Sequence, residues 1–530
     1  MTRFLLEATL AVALFSTIAI VHRFWKMLPN YVDKVTAYLY TFIINHHTST
    51  TFQGWSAMVK DMQRVDVLII GGGVVGSAIL RELARYDARV ALLERNPDVC
   101  EGTSKSNSAI VHTGFDAPPG TLEARLLADA RALWPQVIEQ LHIPYLQTGA
   151  LLIATSEEEL ATLKNEIVPK AERNGVTLQP LTCDEILENS PYINPAIVGG
   201  ALVEGEGIVD PFWTTRAYCE NAVLNGAQVF TGEAVVGMSV ADEHISVHTS
   251  NGRNFAASLV INAAGLWSDE VAQLVGDHSF TLTPRKGQFI IVEEDHGVSQ
   301  IILPIPNRIS KGILVTPIIF GGVMLGPTAE EVQDKGDFAT TFEGLRQIRQ
   351  GIAKLVPAMM DAVSVRQFAG LRAVSSTGEY IIRPSTASER LLHVAGIRST
   401  GLSASPAIGR YVGDLARAQL GLALREHFVE ELPEYLSETH ANEGDVICLC
   451  RSITRGEIMA ALRSPLPPET LDGLKRRTGT MLGDCQGNIC MPRLMQLFQQ
   501  QRGCDPLALN KNYDGSSPVV ARVAGKEARR

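Results

Sequence analysis

Two groups of residues carry chemistry on their spacing. Gly71, Gly73 and Gly76 stand in Gly71-Gly-Gly-Val-Val-Gly76, a turn that lets backbone N–H groups meet a phosphate. Near the other end, Cys448-Leu-Cys450 and Cys485-Gln-Gly-Asn-Ile-Cys490 supply four thiols, whose thiolates are metal ligands. Structural zinc usually wants two to four residues between paired cysteines, whereas here one pair is separated by a single residue and the other by four. The other four cysteines, Cys100, Cys183, Cys219 and Cys504, follow no pattern, and eight in 530 residues do not make a disulfide scaffold.

The glycine turn needs elements to hold it, and the sequence supplies them. Val65–Ile70 is a short apolar run of strand character, Ile79, Leu80 and Leu83 set a helical pattern, and Arg89–Glu94 reads as a second strand. Gly71 permits the tight turn, Gly73 admits a pyrophosphate, and Gly76 lets the helix pack close. Glu94 ends the second strand, where an acid can accept the hydroxyls of a ribose. FAD and NAD use the same turn, so this unit predicts a dinucleotide without choosing between them.

Three further segments point to the flavin. Gly102-Thr-Ser-Lys-Ser-Asn-Ser108, with Thr103, Ser104, Asn107 and Ser108, runs into Ala109-Ile-Val-His-Thr-Gly114 and resembles the flavin-facing segment of the glycerol-3-phosphate and 2-hydroxy-acid flavoenzymes. Leu259–Ser268, with Ala264 and Gly265, resembles the second FAD segment of that superfamily. Leu392–Leu402, with Gly401 and Leu402, resembles the last, where backbone amides cover the flavin ring. Val235 sits where the family's backbone meets the adenine. The resemblance is nearest to the glycerol-3-phosphate oxidase and dehydrogenase branch, with L-2-hydroxyglutarate dehydrogenases further away.

Four positions match what that branch uses on its substrate: His112, Lys311, Arg372 and Ser399. Oxidising a secondary alcohol requires a hydride to leave carbon while a base removes the hydroxyl proton, and histidine suits that task near neutral pH. His112 is the expected base. A phosphate or carboxylate nearby needs fixed positive charge, for which the fork of Arg372 is the better clamp and Lys311 a supplementary point charge. Taken singly, His112 also suits a core hydrogen bond, Lys311 a solvated turn and Arg372 a domain-interface ion pair. The anaerobic dehydrogenase large subunits carry an arginine shortly after the histidine, where this chain reads Thr113-Gly-Phe-Asp116, so the match is to the oxidase-like branch. Phe320-Gly-Gly322 replaces the His-Gly-Asn of many relatives, a departure that bears on the substrate and not on the flavin.

The C-terminal cysteine pattern resembles the bacterioferritin-associated ferredoxin-like (BFD-like) domain, which holds a [2Fe-2S] cluster on four thiolates. The resemblance assigns Cys448, Cys450, Cys485 and Cys490 as ligands and extends through Ile453–Ile458, where Thr454 and Glu457 form a capping box. Lys475, Arg476 and Arg477 are expected to offset the cluster's negative charge. Flavin takes electrons in pairs and the cluster passes them singly, so the pairing implies a dehydrogenase wired to a quinone or a partner subunit.

The fold expected is α/β: a Rossmann-like FAD-binding domain (parts 64–132, 201–280 and 368–430) with an inserted α+β substrate domain (133–200 and 281–367). A small helical BFD-like [2Fe-2S] domain (445–505) and a polar tail (506–530) follow. Residues 1–63 form an extension whose apolar stretch 4–21 is at the short edge of a membrane span, or else precedes the natural start of the chain. The basic residues just after it would keep the rest cytoplasmic, on the cytoplasmic face of the inner membrane. A net charge of −10 argues against nucleic acid as a partner. The function expected is oxidation of sn-glycerol 3-phosphate. A 2-hydroxy acid or amino acid substrate is the alternative, and an electron-transfer subunit without its own substrate the third reading.

Overall fold

The computed structural model describes residues 62–306, 312–433 and 444–521. The apolar run before the glycine turn is strand β1 (Met62–Ile70), with Val67, Leu68 and Ile69 shut from solvent on both faces, as in the middle of a parallel sheet. The chain turns through Gly71 and runs as helix α1 (Val74–Leu83), with Ile79, Leu80 and Leu83 buried. It returns as β2 (Val90–Leu93), parallel to β1 in the register Val67↔Val90 to Ile70↔Leu93. The expected strand, turn, helix and strand are all present, although β1 begins at Met62 rather than Val65.

Among the described residues β1 and β2 lie in an eight-stranded sheet. Its order is Val235–Val240, Ile245–Thr249, β3 (Asn254–Asn262), β1, β2 and Gln228–Phe230. Leu391–Ala395 runs parallel to β3 from Val260↔Leu391 to Asn262↔His393, with Ile381–Pro384 outside it. Asp210 starts the helix Pro211–Leu224, its Oδ1 accepting from the N–H groups of Phe212 and Trp213.

A second, nine-stranded sheet takes strands from both inserted segments, for Ala150–Ala154 pairs parallel to Ile301–Pro304. Strand β4 (Leu282–Val292) pairs antiparallel with β5 (Ser364–Ser375) from Leu282↔Ser375 to Val292↔Ser364. β5 runs unbroken across residues 367 and 368, where the sequence reading puts a domain seam, because β4 pairs with it on both sides of that point. A helix over Phe342–Ala353 starts with Thr341 Oγ1 accepting from the Gly344 N–H.

Helix α2 (Gly401–Leu420) packs on α1 with no room for a side chain at Gly409, whose ideal Cβ would lie 2.8 Å from the carbonyl oxygen of Ala78. The C-terminal module has its own core of Ile447, Ile458, Leu474, Leu494 and Phe498, contributed largely by Arg455–Leu462, α3 (Leu471–Thr478) and Met491–Arg502. The predicted capping box is there: Thr454 accepts from the Glu457 N–H, and Glu457 accepts from the Thr454 N–H. Among the described residues no helix is long and apolar enough to cross a membrane. Segment 4–21 and Lys311 lie outside the described residues, as does the basic end Lys526–Arg530.

Candidate active site and cysteine module

Gly71 has φ +112°, and a Cβ there would lie 2.4 Å from the carbonyl oxygen of Ala263, so β1 and the end of β3 can close only on glycine. Gly76 is tighter still, its ideal Cβ 2.0 Å from the Gly71 carbonyl oxygen. At Gly73 a Cβ would meet only Ser104 Oγ, at 3.2 Å. The turn opens at Gly73 onto a cavity of about 470 Å³ lined by both sheets.

Glu94 is buried at the end of β2, where burial raises its carboxyl pKa. Its Oε2 accepts from the Gly72 N–H at 2.7 Å and its Oε1 from the backbone and side chain of Asn96. The acid therefore braces the turn as well as facing the cavity. Ser104 Oγ accepts from the Val74 N–H at 2.9 Å, and Asn107 Oδ1 from the Ala109 N–H at 2.7 Å, which fix the polar loop. Thr103, Ser104, Asn107 and Ser108 all line the cavity, as do Val235, Ala264 and Gly265. Gly401 and Leu402 reach it from the start of α2. Gly76 does not line it and acts through packing.

His112 and Arg372 line the same cavity, as does the exposed Ser399. The His112 ring stacks on Phe115 at 5.0 Å. Its Nδ1 accepts from the Gly114 N–H at 2.8 Å, and its Nε2 lies 3.3 Å from Asp116 Oδ1. Glu206 faces the ring from across a strand pair, with Oε1 3.7 Å from Nδ1. Antiparallel pairing of Ile110↔Ile208 and Val111↔Gly207 brings it there. Oε1 of Glu206 accepts from the Thr113 N–H and hydroxyl, whereas its buried Oε2 meets no hydrogen-bond partner among the described residues.

Arg372 projects from β5 and donates to the carbonyl oxygen of Thr328 at 2.7 Å and, more weakly, to those of Arg285 and Lys286. No carboxylate pairs with it among the described residues. Burial pulls its pKa down to about 10, still far above neutrality, so the guanidinium stays charged. The sequence reading missed Glu206, Arg95 and Trp267. Arg95 directly follows Glu94, and its guanidinium lies 3.4 Å from the Trp267 ring centroid at the cavity wall.

In the C-terminal module Cys450 is in hydrogen-bond contact with Cys485, and Cys448 with Cys490. The N–H groups of Ile489 and Gly487 hold the Cys485 thiol below its ordinary pKa, while burial pushes Cys490 up to about 11. Among the described residues no three such ligands converge on one point as a single ion would require. Two pairs of thiols suit a ligand set shared between two irons. Arg476 and Arg477 do not face these cysteines as expected. They bond Asp98 and Glu101, on the loop after β2, and Lys475 pairs with Asp472 at 2.7 Å, because buried carboxylates claim the three cations.

A parallel strand ending in a glycine turn, over a cavity that also holds a histidine and a cation with no carboxylate partner among the described residues, defines a dinucleotide-dependent oxidoreductase. The chain belongs to the FAD dependent oxidoreductase (DAO) family, whose model matches residues 66–415. Residues 446–500 match the BFD-like [2Fe-2S] binding domain, and the cofactors are FAD and a [2Fe-2S] cluster. The chain is 35% identical over 468 residues to a glycerol 3-phosphate dehydrogenase of Caloramator mitchellensis, covering 85% of this chain and 97% of that one. It is 25% identical over 533 residues to one chain of the anaerobic glycerol-3-phosphate dehydrogenase of Escherichia coli, covering 88% and 96%. Among solved structures, the dithionite-reduced, FAD-bound L-alpha-glycerophosphate oxidase of Mycoplasma pneumoniae aligns with a TM-score of 0.66 and 29% identity, over 70% of this chain and all of that one.

Proposed function

We propose that this protein oxidises sn-glycerol 3-phosphate to dihydroxyacetone phosphate and sends the electrons through its [2Fe-2S] module to a quinone or a partner subunit. The observation that carries the reading is Arg372: a half-buried guanidinium, bonded among the described residues to carbonyl oxygens alone, in the cavity that holds His112. Such a cation favours a substrate that brings its own negative charge. The three relatives described above, each named for a glycerol phosphate, support phosphate as that charge.

When bound, FAD supplies the two-electron acceptor. The protein's own residues bind, orient and deprotonate. Arg372 holds the phosphate, with Lys311 and Ser399 as further substrate contacts, and this leaves the secondary hydroxyl at His112 and Asp116. Phe289, Leu303 and Leu314 wall the cavity and limit water at the reacting carbon. The proposed place of action is the cytoplasm, at the cytoplasmic face of the inner membrane, where segment 4–21 would hold the protein.

The test is to add glycerol 3-phosphate, 2-hydroxy acids and amino acids in turn to the oxidised flavoprotein without oxygen and follow the yellow colour. Fast bleaching by glycerol 3-phosphate alone is expected. Bleaching only by a hydroxy acid or an amino acid would move Arg372 to a carboxylate, and bleaching by none would leave an electron-transfer subunit.

A further inference from the structure

The [2Fe-2S] module meets the rest of the chain through four buried charges. Asp98 and Glu101 follow β2, Arg476 and Arg477 stand on α3, and their exposures are 3%, 6%, 8% and 8%. Arg477 grips Asp98 with both ends of its fork, Nη2 reaching Oδ1 at 2.9 Å and Nη1 bonding Oδ2. Arg476 bonds Glu101 and lies 3.3 Å from Asp98 Oδ2. Helix α3 passes so close that a Cβ on Gly473 would lie 2.7 Å from Asp98 Oδ2.

The loop seized in this way is the one that builds the flavin cavity. Two residues beyond Asp98, the Cys100 N–H donates to the carbonyl oxygen of Gly72 at 2.9 Å, inside the glycine turn. Further along, Thr103 Oγ1 donates to the Leu371 carbonyl oxygen at 2.7 Å, and Ser104 caps α1 through the Val74 N–H. A second grip lies on β5, where Arg366 donates to the Gln486 side chain and to the Met481 carbonyl oxygen, beside Cys485. β5 also carries Arg372 into the cavity.

We propose that the Asp98, Glu101, Arg476 and Arg477 cluster is a latch that makes docking of the [2Fe-2S] module and retention of FAD one coupled equilibrium. Glu101 also pairs with Lys105 at 2.7 Å, whereas the ion pairs of Asp98 are made to Arg476 and Arg477, and losing them would leave Asp98 a buried, uncompensated charge, so the docked and undocked states are sharply separated. The loop from Asp98 to Ser104 can brace the glycine turn fully only when its acids are neutralised. By linkage, whatever factor docking contributes to FAD affinity, FAD must return to docking. The four residues are positioning residues, and the inference holds for any substrate the site oxidises.

The experiment uses the full chain. FAD is removed, then titrated back into the natural protein, an Arg476→Met/Arg477→Met variant and an Asp98→Asn variant, while hydrogen exchange is followed over Leu471–Thr478. Both variants are expected to bind FAD at least tenfold more weakly and to exchange faster over α3, with the paramagnetic signal of the reduced cluster intact. In the natural protein, removing FAD is expected to speed exchange over the same helix. Should the double variant fail to fold, Asp98→Asn carries the same reading. Undocking at unchanged FAD affinity would overturn the coupling, and unchanged exchange in the variants would show that these charges are not what holds the module.

Discussion

The backbone N–H of Gly114 donates to Nδ1 of His112 at 2.8 Å, and this one bond settles where the neutral ring keeps its hydrogen. With the Nδ1 lone pair engaged, the hydrogen sits on Nε2, 3.3 Å from Asp116 Oδ1. A proton leaving the substrate must then be taken by Asp116, or by Nδ1 once the Gly114 bond is released.

His112→Ala is expected to keep the flavin but slow its anaerobic reduction by roughly 100-fold, the usual scale for acid–base catalysis. Asp116→Asn should slow the same step by about tenfold or more, since the amide cannot take a proton. Stopped-flow bleaching measures both. A normal rate in the asparagine variant would leave the imidazole working without its carboxylate.

Arg372→Ala should act mainly on KM, and Arg372→Lys should recover only part of the loss, because one ammonium cannot reproduce the fork. Since burial lowers this guanidinium only to about 10, substrate affinity is expected to hold steady from neutrality upward and to fall as pH rises through that value, where the charge is lost. Affinity that declines well below pH 9 would assign the titration to another group.

Two glycines of the turn should fail differently. Gly76→Ala puts a methyl 2.0 Å from the Gly71 carbonyl oxygen, so it should lower stability by about 1–3 kcal/mol, the usual range for overpacking. Gly73→Val should fold nearly as before and lose flavin, for its side chain would enter the cavity. Thermal midpoints and flavin content, compared side by side, separate the two; equal losses of stability would refute the distinction.

Cys485→Ser should abolish the iron signal and leave substrate-driven bleaching of the flavin intact, while turnover with a quinone or partner collapses. Iron and zinc content, together with low-temperature paramagnetic resonance, decide it. A preparation rich in zinc and free of iron would reduce the module to a structural fold.

What the sequence made legible follows from how local each constraint is. Gly71 must be glycine because φ is +112°, and the flanking apolar runs announce the strands around it. The capping box at Thr454 and Glu457 is readable for the same reason, since both halves lie within one helical turn. Glu206 is different: it reaches His112 only because Ile110–Val111 pairs with Gly207–Val209, and pairing between distant strands leaves no periodic trace. Arg476 and Arg477 read as partners of the nearby cysteines, while the acids that hold them stand more than 370 positions upstream. A run of positive charge shows that a partner is needed and says nothing of which one.

The two acids after β2 also have a bearing on ancestry. In a relative whose chain stops short of a C-terminal module, carboxylates at the positions of Asp98 and Glu101 would lose the two guanidinium partners, and only the second would keep a cation of its own loop, Lys105, beside it. Selection would then free both sites to drift toward neutral or smaller side chains, whereas gaining the module by fusion would favour acids there. Inheritance of the acid pair should therefore track inheritance of the arginine pair, so that two residues near the start of such a sequence foretell how it ends.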